Sequence, residues 1–249
     1  MIRRIVLGLV ALVLVCALVI GVEIWLALTR EYLPTDPPMA LGGTFGEPSG
    51  ETVRFVVLGD STAAGLGADD PSGAYATVLA ERLARERNVQ VELTALGVSG
   101  ARVVDVLHEQ VPKVAAAKPD LVFVGIGAND VTHVTPLSDI ERDMTIAIRR
   151  LKETGARVVV AGAPDMRATA WHQPLRWLAG LRGEQVADTI ERVGHEQGVG
   201  VVELADETGH YFEADPEPHF SSDDFHPSSL GYRRWADAIY PVLEASLDG

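Results

Sequence analysis

Only one cysteine, Cys16, occurs in the 249 residues, so no disulfide can form within the chain and its folded part must rest on packing alone. Basic residues are also scarce: 21 Lys and Arg stand against 35 Asp and Glu, for a net charge of −14. Arg3, Arg4, Arg30 and Glu23 sum to +2 in the first 30 residues, so residues 31–249 carry −16. Such acidity excludes nucleic acid and an anionic lipid surface as electrostatic partners. His108, His133, His172, His195, His210 and His219 show no metal-ligand spacing among themselves. No internal repeat interrupts the chain.

A long uncharged stretch is present instead. Arg3 and Arg4 precede 18 apolar residues from Ile5 to Val22, and after Glu23 the apolar character resumes through Leu28. As a helix the 18 residues measure about 27 Å, close to the hydrocarbon thickness of a bilayer. The expectation is an N-terminal transmembrane anchor over residues 1–30. The basic flank predicts a cytoplasmic N-terminus, with the rest of the chain outside the cytoplasm at the cell membrane. A signal peptide, removed to release a secreted protein, is the alternative, but its apolar region is typically shorter and ends at a small-x-small site that Ala27-Leu28-Thr29 does not supply.

Residues 31–51 are rich in Pro and Gly without a hydrophobic period and read as a linker. From residue 52 to 249, short β-branched runs alternate with longer amphipathic ones. Val53–Leu58, Val89–Leu96, Leu121–Ile126, Val158–Ala161 and Val199–Leu204 are near-continuous apolar segments of strand length, as expected of strands covered on both faces. Between and after them, Tyr75–Arg87, Val103–Ala117, Ile140–Glu153, Gln185–Gln197 and Leu230–Leu247 have helical periodicity. This alternation predicts an α/β fold: a three-layer α/β/α sandwich on a five-stranded parallel sheet of the flavodoxin-like kind.

In such a sheet the ligand crevice lies beyond the carboxyl ends of the strands. The loops there offer Gly59-Asp60-Ser61-Thr62, Gly97-Val98-Ser99-Gly100, Gly127-Ala128-Asn129-Asp130 and Asp223-Asp224-Phe225-His226-Pro227. A nucleophilic hydroxyl needs a base, a carboxylate to orient that base, and donors aimed at an oxyanion; all these residue types fall on one edge. Asp60 and Asp130 read as groups that bond loop backbone.

With these four blocks in this order, the chain from about Val53 to Tyr240 resembles the SGNH hydrolases, also called the GDSL esterase/lipase family. The resemblance implies Ser61 as nucleophile, His226 as general base and then acid, and Asp223 as the orienting carboxylate. It further implies an oxyanion hole from the backbone N–H groups of Ser61 and Gly100 and the side-chain amide of Asn129, with Gly97 as the alternative to Gly100. Members often carry Asn in the second block where this chain has Ala95, which removes a supporting hydrogen bond from that loop. Neither metal nor cofactor is implied. No Gly-x-Ser-x-Gly pentapeptide is present, which separates the chain from the α/β-hydrolases with a nucleophile elbow.

The implied activity is hydrolysis of a small-molecule or lipid carboxylic ester through an acyl-enzyme, lysophospholipase- or thioesterase-like. Alternatives on the same fold are a carbohydrate O-acetyl esterase and an acyltransferase. A non-enzymatic anchored binding domain is the reading outside that class. A two-metal phosphoesterase needs a His directly after the Asn of its Gly-Asn element, where this chain has Asp130. The apolar segment Met166–Leu181, with Trp171 and Trp177, is the candidate wall of a substrate pocket.

Overall fold

Val56 and Leu58 point to one side of their strand and Phe55 and Val57 to the other, and all four are buried, because each face of the sheet carries its own hydrophobic layer. In the computed structural model, which describes residues 2–48, 50–167 and 170–248, six strands form one sheet: β1 (Gly42–Phe45), β2 (Thr52–Gly59), β3 (Gln90–Ala95), β4 (Leu121–Gly125), β5 (Arg157–Ala161) and β6 (Gly200–Val202). Their order is β1-β3-β2-β4-β5-β6. One layer packs residues 103–114 and the helices Leu137–Glu153 and Leu175–Glu196 against Val56, Leu58, Val122, Val124, Val158 and Val160. The opposite layer packs Tyr75–Arg87, Leu204–Ala214 and Ser229–Asp248 against Phe55, Val57, Phe123, Val159 and Ala161.

The five strands from β2 to β6 are parallel to their neighbours, in the order expected of a flavodoxin-like sheet. The sheet as a whole is mixed and six-stranded, which corrects the five-stranded parallel expectation. β1 pairs antiparallel with β3, Gly42 opposite Thr94 and Phe45 opposite Val91. It arises inside the stretch that reads as linker, because Gly42-Gly43-Thr44-Phe45 has no apolar alternation and is held at an exposed edge by main-chain pairing.

Other departures have local causes. Helix Leu175–Glu196 begins ten residues ahead of the expected Gln185, where apolar residues on several faces blur the period. Two helices, Leu204–Ala214 and Pro216–His219, occupy what reads as loop; acidic Asp206, Glu207 and Glu213 obscure the buried spacing of Leu204, Thr208 and Phe212. The second crossover is irregular: residues 106–110 form a π turn ahead of Pro112, whose missing N–H and ring break the regular ladder.

The apolar helix runs from Ile2 to Thr29, and none of its residues is buried. Only its last turns touch the domain. Glu23 Oε2 accepts the N–H of Leu175 at 2.8 Å, where a carboxylate meets the orphan donors and positive end of a helix. The one acid in the apolar run is therefore a docking residue.

The register sets the site. Gly59, Gly125 and Ala161 are paired neighbours at the ends of β2, β4 and β5, so three chains leave the sheet at one level through small residues. Gly59 has φ +150°, and a Cβ there would lie 2.1 Å from the Gly125 carbonyl oxygen. Only glycine permits both the backbone angle and the approach.

Candidate active site

Beyond Gly59 the chain turns sharply: Ala64 N–H reaches Asp60 O and Leu66 N–H reaches Ser61 O, and no regular helix begins until Tyr75. Ser61 thus sits on a turn rather than at a helix start. Asp60, buried under that turn, accepts Thr62 N at 2.9 Å and Thr62 Oγ1 at 2.8 Å, and burial pushes its carboxyl up despite these donors. Asp130 is fully buried and its Oδ2 accepts Val103 N–H at 3.0 Å; burial raises its carboxyl too. Both acids hold backbone.

Ser61 Oγ lies 3.0 Å from His226 Nε2, and His226 Nδ1 lies 2.6 Å from Asp223 Oδ2. A carboxylate at Nδ1 keeps the ring proton there, so Nε2 faces the hydroxyl as an acceptor. Asp223 and His226 are buried while Ser61 is partly open. Asp223 Oδ1 accepts three further donors: Ser221 Oγ at 2.9 Å, Phe225 N at 3.0 Å and His226 N at 2.9 Å. Burial alone would raise the Asp223 carboxyl, but the bonds and charge of His226 and the N–H of Phe225 outweigh it and hold it well below the usual carboxylate range. The three-residue spacing closes on itself: Asp223 caps the turn that carries His226. Asp224 faces elsewhere, its carboxylate paired with Arg30 at 2.7 Å.

Asn129 Nδ2 donates to Ala101 O at 3.0 Å, which fixes the amide and leaves its second N–H for a ligand. Ser61, Gly100, Asn129 and His226 together line one cleft of about 650 Å³. Gly100 has φ +82° and open space where a Cβ would stand. Gly97 does not line this cleft; a Cβ there would press within 2.5 Å of the Ala63–Ala64 backbone, so its smallness serves the packing of the turn that carries Ser61.

The far wall of the cleft is largely apolar. Helix Leu175–Glu196 contributes Leu175, Leu178, Ala179 and Arg182, one face at helical spacing. Trp171, mostly buried, lines the cleft and packs against Phe225 with ring centroids 5.2 Å apart. Trp177 is not among the lining residues: two positions beyond Leu175, it points from another side of the helix and is 55% exposed. Ile24, Ala27 and Leu28 of the apolar helix complete the wall.

Gln110 escapes any reading of the sequence, since its partner is 51 residues away. Its side chain engages both main-chain groups of one residue, Oε1 accepting Gly59 N–H at 2.9 Å and Nε2 donating to Gly59 O at 2.8 Å. This clamps the strand end directly before the turn that carries Ser61. Replacing Gln110 by Leu is expected to lower stability by about 1–3 kcal/mol, the cost of orphaning buried backbone groups, measured by urea unfolding. An unchanged midpoint would refute the clamp. Among the described residues, no group of three His, Cys, Asp or Glu is placed to hold a metal ion.

The comparisons bear on this geometry. The chain is 32% identical over 197 residues to the GDSL-like esterase Rv1075c of Mycobacterium tuberculosis; the match covers 78% of this chain and 63% of that protein's length. The fold is shared with TesA (TM-score 0.62, 20% identity, 78% of this chain and 99% of that one). It is shared also with Axe2, an acetylxylan esterase from Geobacillus stearothermophilus (TM-score 0.62, 20% identity, 79% and 95%). A GDSL-like lipase from Parabacteroides merdae has the same fold at TM-score 0.65 and 18% identity, over 78% and 96% of the two chains. The sequence model of one family spans residues 57–234, from the strand that delivers Ser61 to the helix that follows His226. The chain belongs to the GDSL-like Lipase/Acylhydrolase family.

Proposed function

We propose that the protein hydrolyses carboxylic esters through an acyl-enzyme on Ser61. The observation that carries this is the unbroken relay from Ser61 Oγ through His226 to Asp223, opening into a cleft walled largely by hydrocarbon. His226 Nε2 takes the hydroxyl proton as Oγ attacks the ester carbonyl, and Asp223 stabilises the imidazolium. The tetrahedral oxyanion faces the N–H groups of Ser61 and Gly100 and the free amide N–H of Asn129. Collapse expels the alcohol, which takes the proton from His226. Water then repeats the sequence and releases the acid. Every group in this scheme is a side chain or amide of the chain itself, so the reading includes no cofactor or metal.

The cleft favours an acyl chain over a glycan acetyl group. Trp171, Leu175, Leu178, Phe225 and the end of the apolar helix offer hydrocarbon contact, whereas a sugar ring needs a polar wall. We further read residues 1–30 as a membrane anchor, 31–51 as the connection and 52–249 as the catalytic domain, held outside the cytoplasm. The apolar helix near the N-terminus, the one of its kind among the described residues, 28 residues long and wholly unburied, supports this, and a signal sequence has the same features. In this arrangement Trp177 and Leu181, both exposed, lie on the helix that Glu23 caps, near the proposed bilayer face.

Turnover of p-nitrophenyl esters of graded chain length by the full chain in detergent tests the reading. The expected result is a kcat/KM that rises from acetate to at least octanoate by about tenfold or more, since each buried methylene contributes about 0.8 kcal/mol. No turnover of any ester would overturn the hydrolase reading. An optimum at acetate would favour the O-acetyl esterase.

A further inference from the structure

The catalytic carboxylate is touched from outside its own turn. Leu33 N–H lies 3.3 Å from Asp223 Oδ2, the same oxygen that bonds the imidazole. Arg30 Nη2 donates to Asp223 O at 3.0 Å and to Asp224 Oδ2 at 2.7 Å. Between them Tyr32 accepts Trp171 Nε1–H at 3.1 Å and donates to Ala27 O at 3.1 Å, with its ring edge on Phe225 at 5.3 Å. Arg30, Tyr32 and Leu33 lie on the segment that leaves the apolar helix, some 190 positions ahead of the Asp223–His226 turn.

That turn needs support. Asp224 has φ +55°, a left-handed conformation that non-glycine residues enter at a cost, and it sits between the carboxylate and the histidine it serves. Arg30 fastens the carbonyl before Asp224 and the side chain of Asp224 itself, so it holds the strained residue from both directions. Leu33 then adds a donor on Oδ2, the oxygen that sets the angle of the ring.

We propose that Arg30 and Leu33 are positioning residues of the active site, so that the segment between the apolar helix and β1 completes the enzyme as well as connecting it. This rests on the assignment of Ser61, His226 and Asp223 above. Neither residue touches the reacting atoms. They act through Asp223, by keeping its carboxylate in line with Nδ1 and hence Nε2 in line with Oγ.

The test uses the full chain in non-ionic detergent, a short soluble ester such as p-nitrophenyl butyrate, and the rate of labelling by a fluorophosphonate. Arg30→Ala is expected to lower kcat and the labelling rate about tenfold with KM changed by less than roughly twofold, because misorientation affects the chemical step and leaves ester binding intact. Arg30→Lys, which retains a cation within reach of both oxygens, is expected to restore most of the rate. Asp224→Ala removes one end of the contact without touching Arg30, and the double variant Arg30→Ala with Asp224→Ala is expected to be no slower than Arg30→Ala alone. Arg30→Ala labelling at the wild-type rate would overturn the proposal, as would Arg30→Lys being as slow as Arg30→Ala. If Arg30→Ala loses its melting transition, the Asp224→Ala rate decides in its place: a several-fold fall supports the contact, and a wild-type rate overturns it. A wild-type chain that takes no label would instead refute the nucleophile assignment.

Discussion

Replacing Ser61 by alanine is expected to lower kcat by about 10⁶-fold, toward the residual rate that oxyanion donors and substrate binding supply alone, and to abolish fluorophosphonate labelling. The size follows from the relay. Without Oγ no acyl-enzyme forms, and water would have to be positioned by a histidine that is 7% exposed and aimed at a hydroxyl no longer there. The fold loses little. Ser61 is only partly buried, its contact to His226 is its one side-chain hydrogen bond among those described, and its backbone role in the turn does not depend on the hydroxyl. Stability should change by no more than about 1 kcal/mol. Initial rates together with a thermal melt check both halves: turnover within tenfold of wild type would remove Ser61 from the mechanism.

Asp223→Asn is expected to lower kcat by about 10⁴-fold, the scale of a wrong imidazole tautomer. Oδ1 already accepts three donors, so the amide oxygen takes that place and the NH2 falls at Oδ2, facing His226 Nδ1 and Leu33 N–H. Two donors cannot face each other. The ring proton then moves to Nε2, where it points at Ser61 Oγ and can no longer receive the hydroxyl proton. The substitution also reaches stability. In the wild type the native carboxyl is held below its unfolded value, so it contributes stability above about pH 4, the ordinary carboxylate pKa, and loses it progressively as pH falls through the lower native pKa. The gap in unfolding free energy between wild type and Asp223→Asn should therefore narrow on acidification from pH 7 to pH 3. A kcat within tenfold of wild type, or a gap that widens with acid, would contradict this account of Asp223.

The parallel part of the sheet was legible because burial on both faces leaves the central stretches of its strands without polar positions: Val56, Val57 and Leu58, or Val158 to Ala161, permit little else. The relay was legible for a different reason. Ser61 and His226 each fall at the end of an apolar run or the start of a helix, and the Asp223–His226 spacing is a local geometry that a four-residue turn realises by itself. What sequence left hidden was long-range main-chain contact. β1 is held by backbone pairing with β3, which any residue can make, and Gln110 acts on the peptide of Gly59, which has no side chain to announce a partner. Trp177 illustrates the limit of composition. Its type suited an acyl pocket as well as Trp171 did, but a phase two residues off the lining face places it outside.

The docking of Glu23 on helix Leu175–Glu196 has a kinetic meaning. It fixes the end of the apolar helix against the cleft wall, so with that helix in a bilayer, as proposed, the mouth of the cleft is fixed at the lipid surface. An ester dissolved in that bilayer would meet the enzyme by diffusion in two dimensions, at an effective concentration set by its mole fraction among the lipids. The amount of membrane into which substrate is diluted would then govern the rate, more than the volume of solution around it.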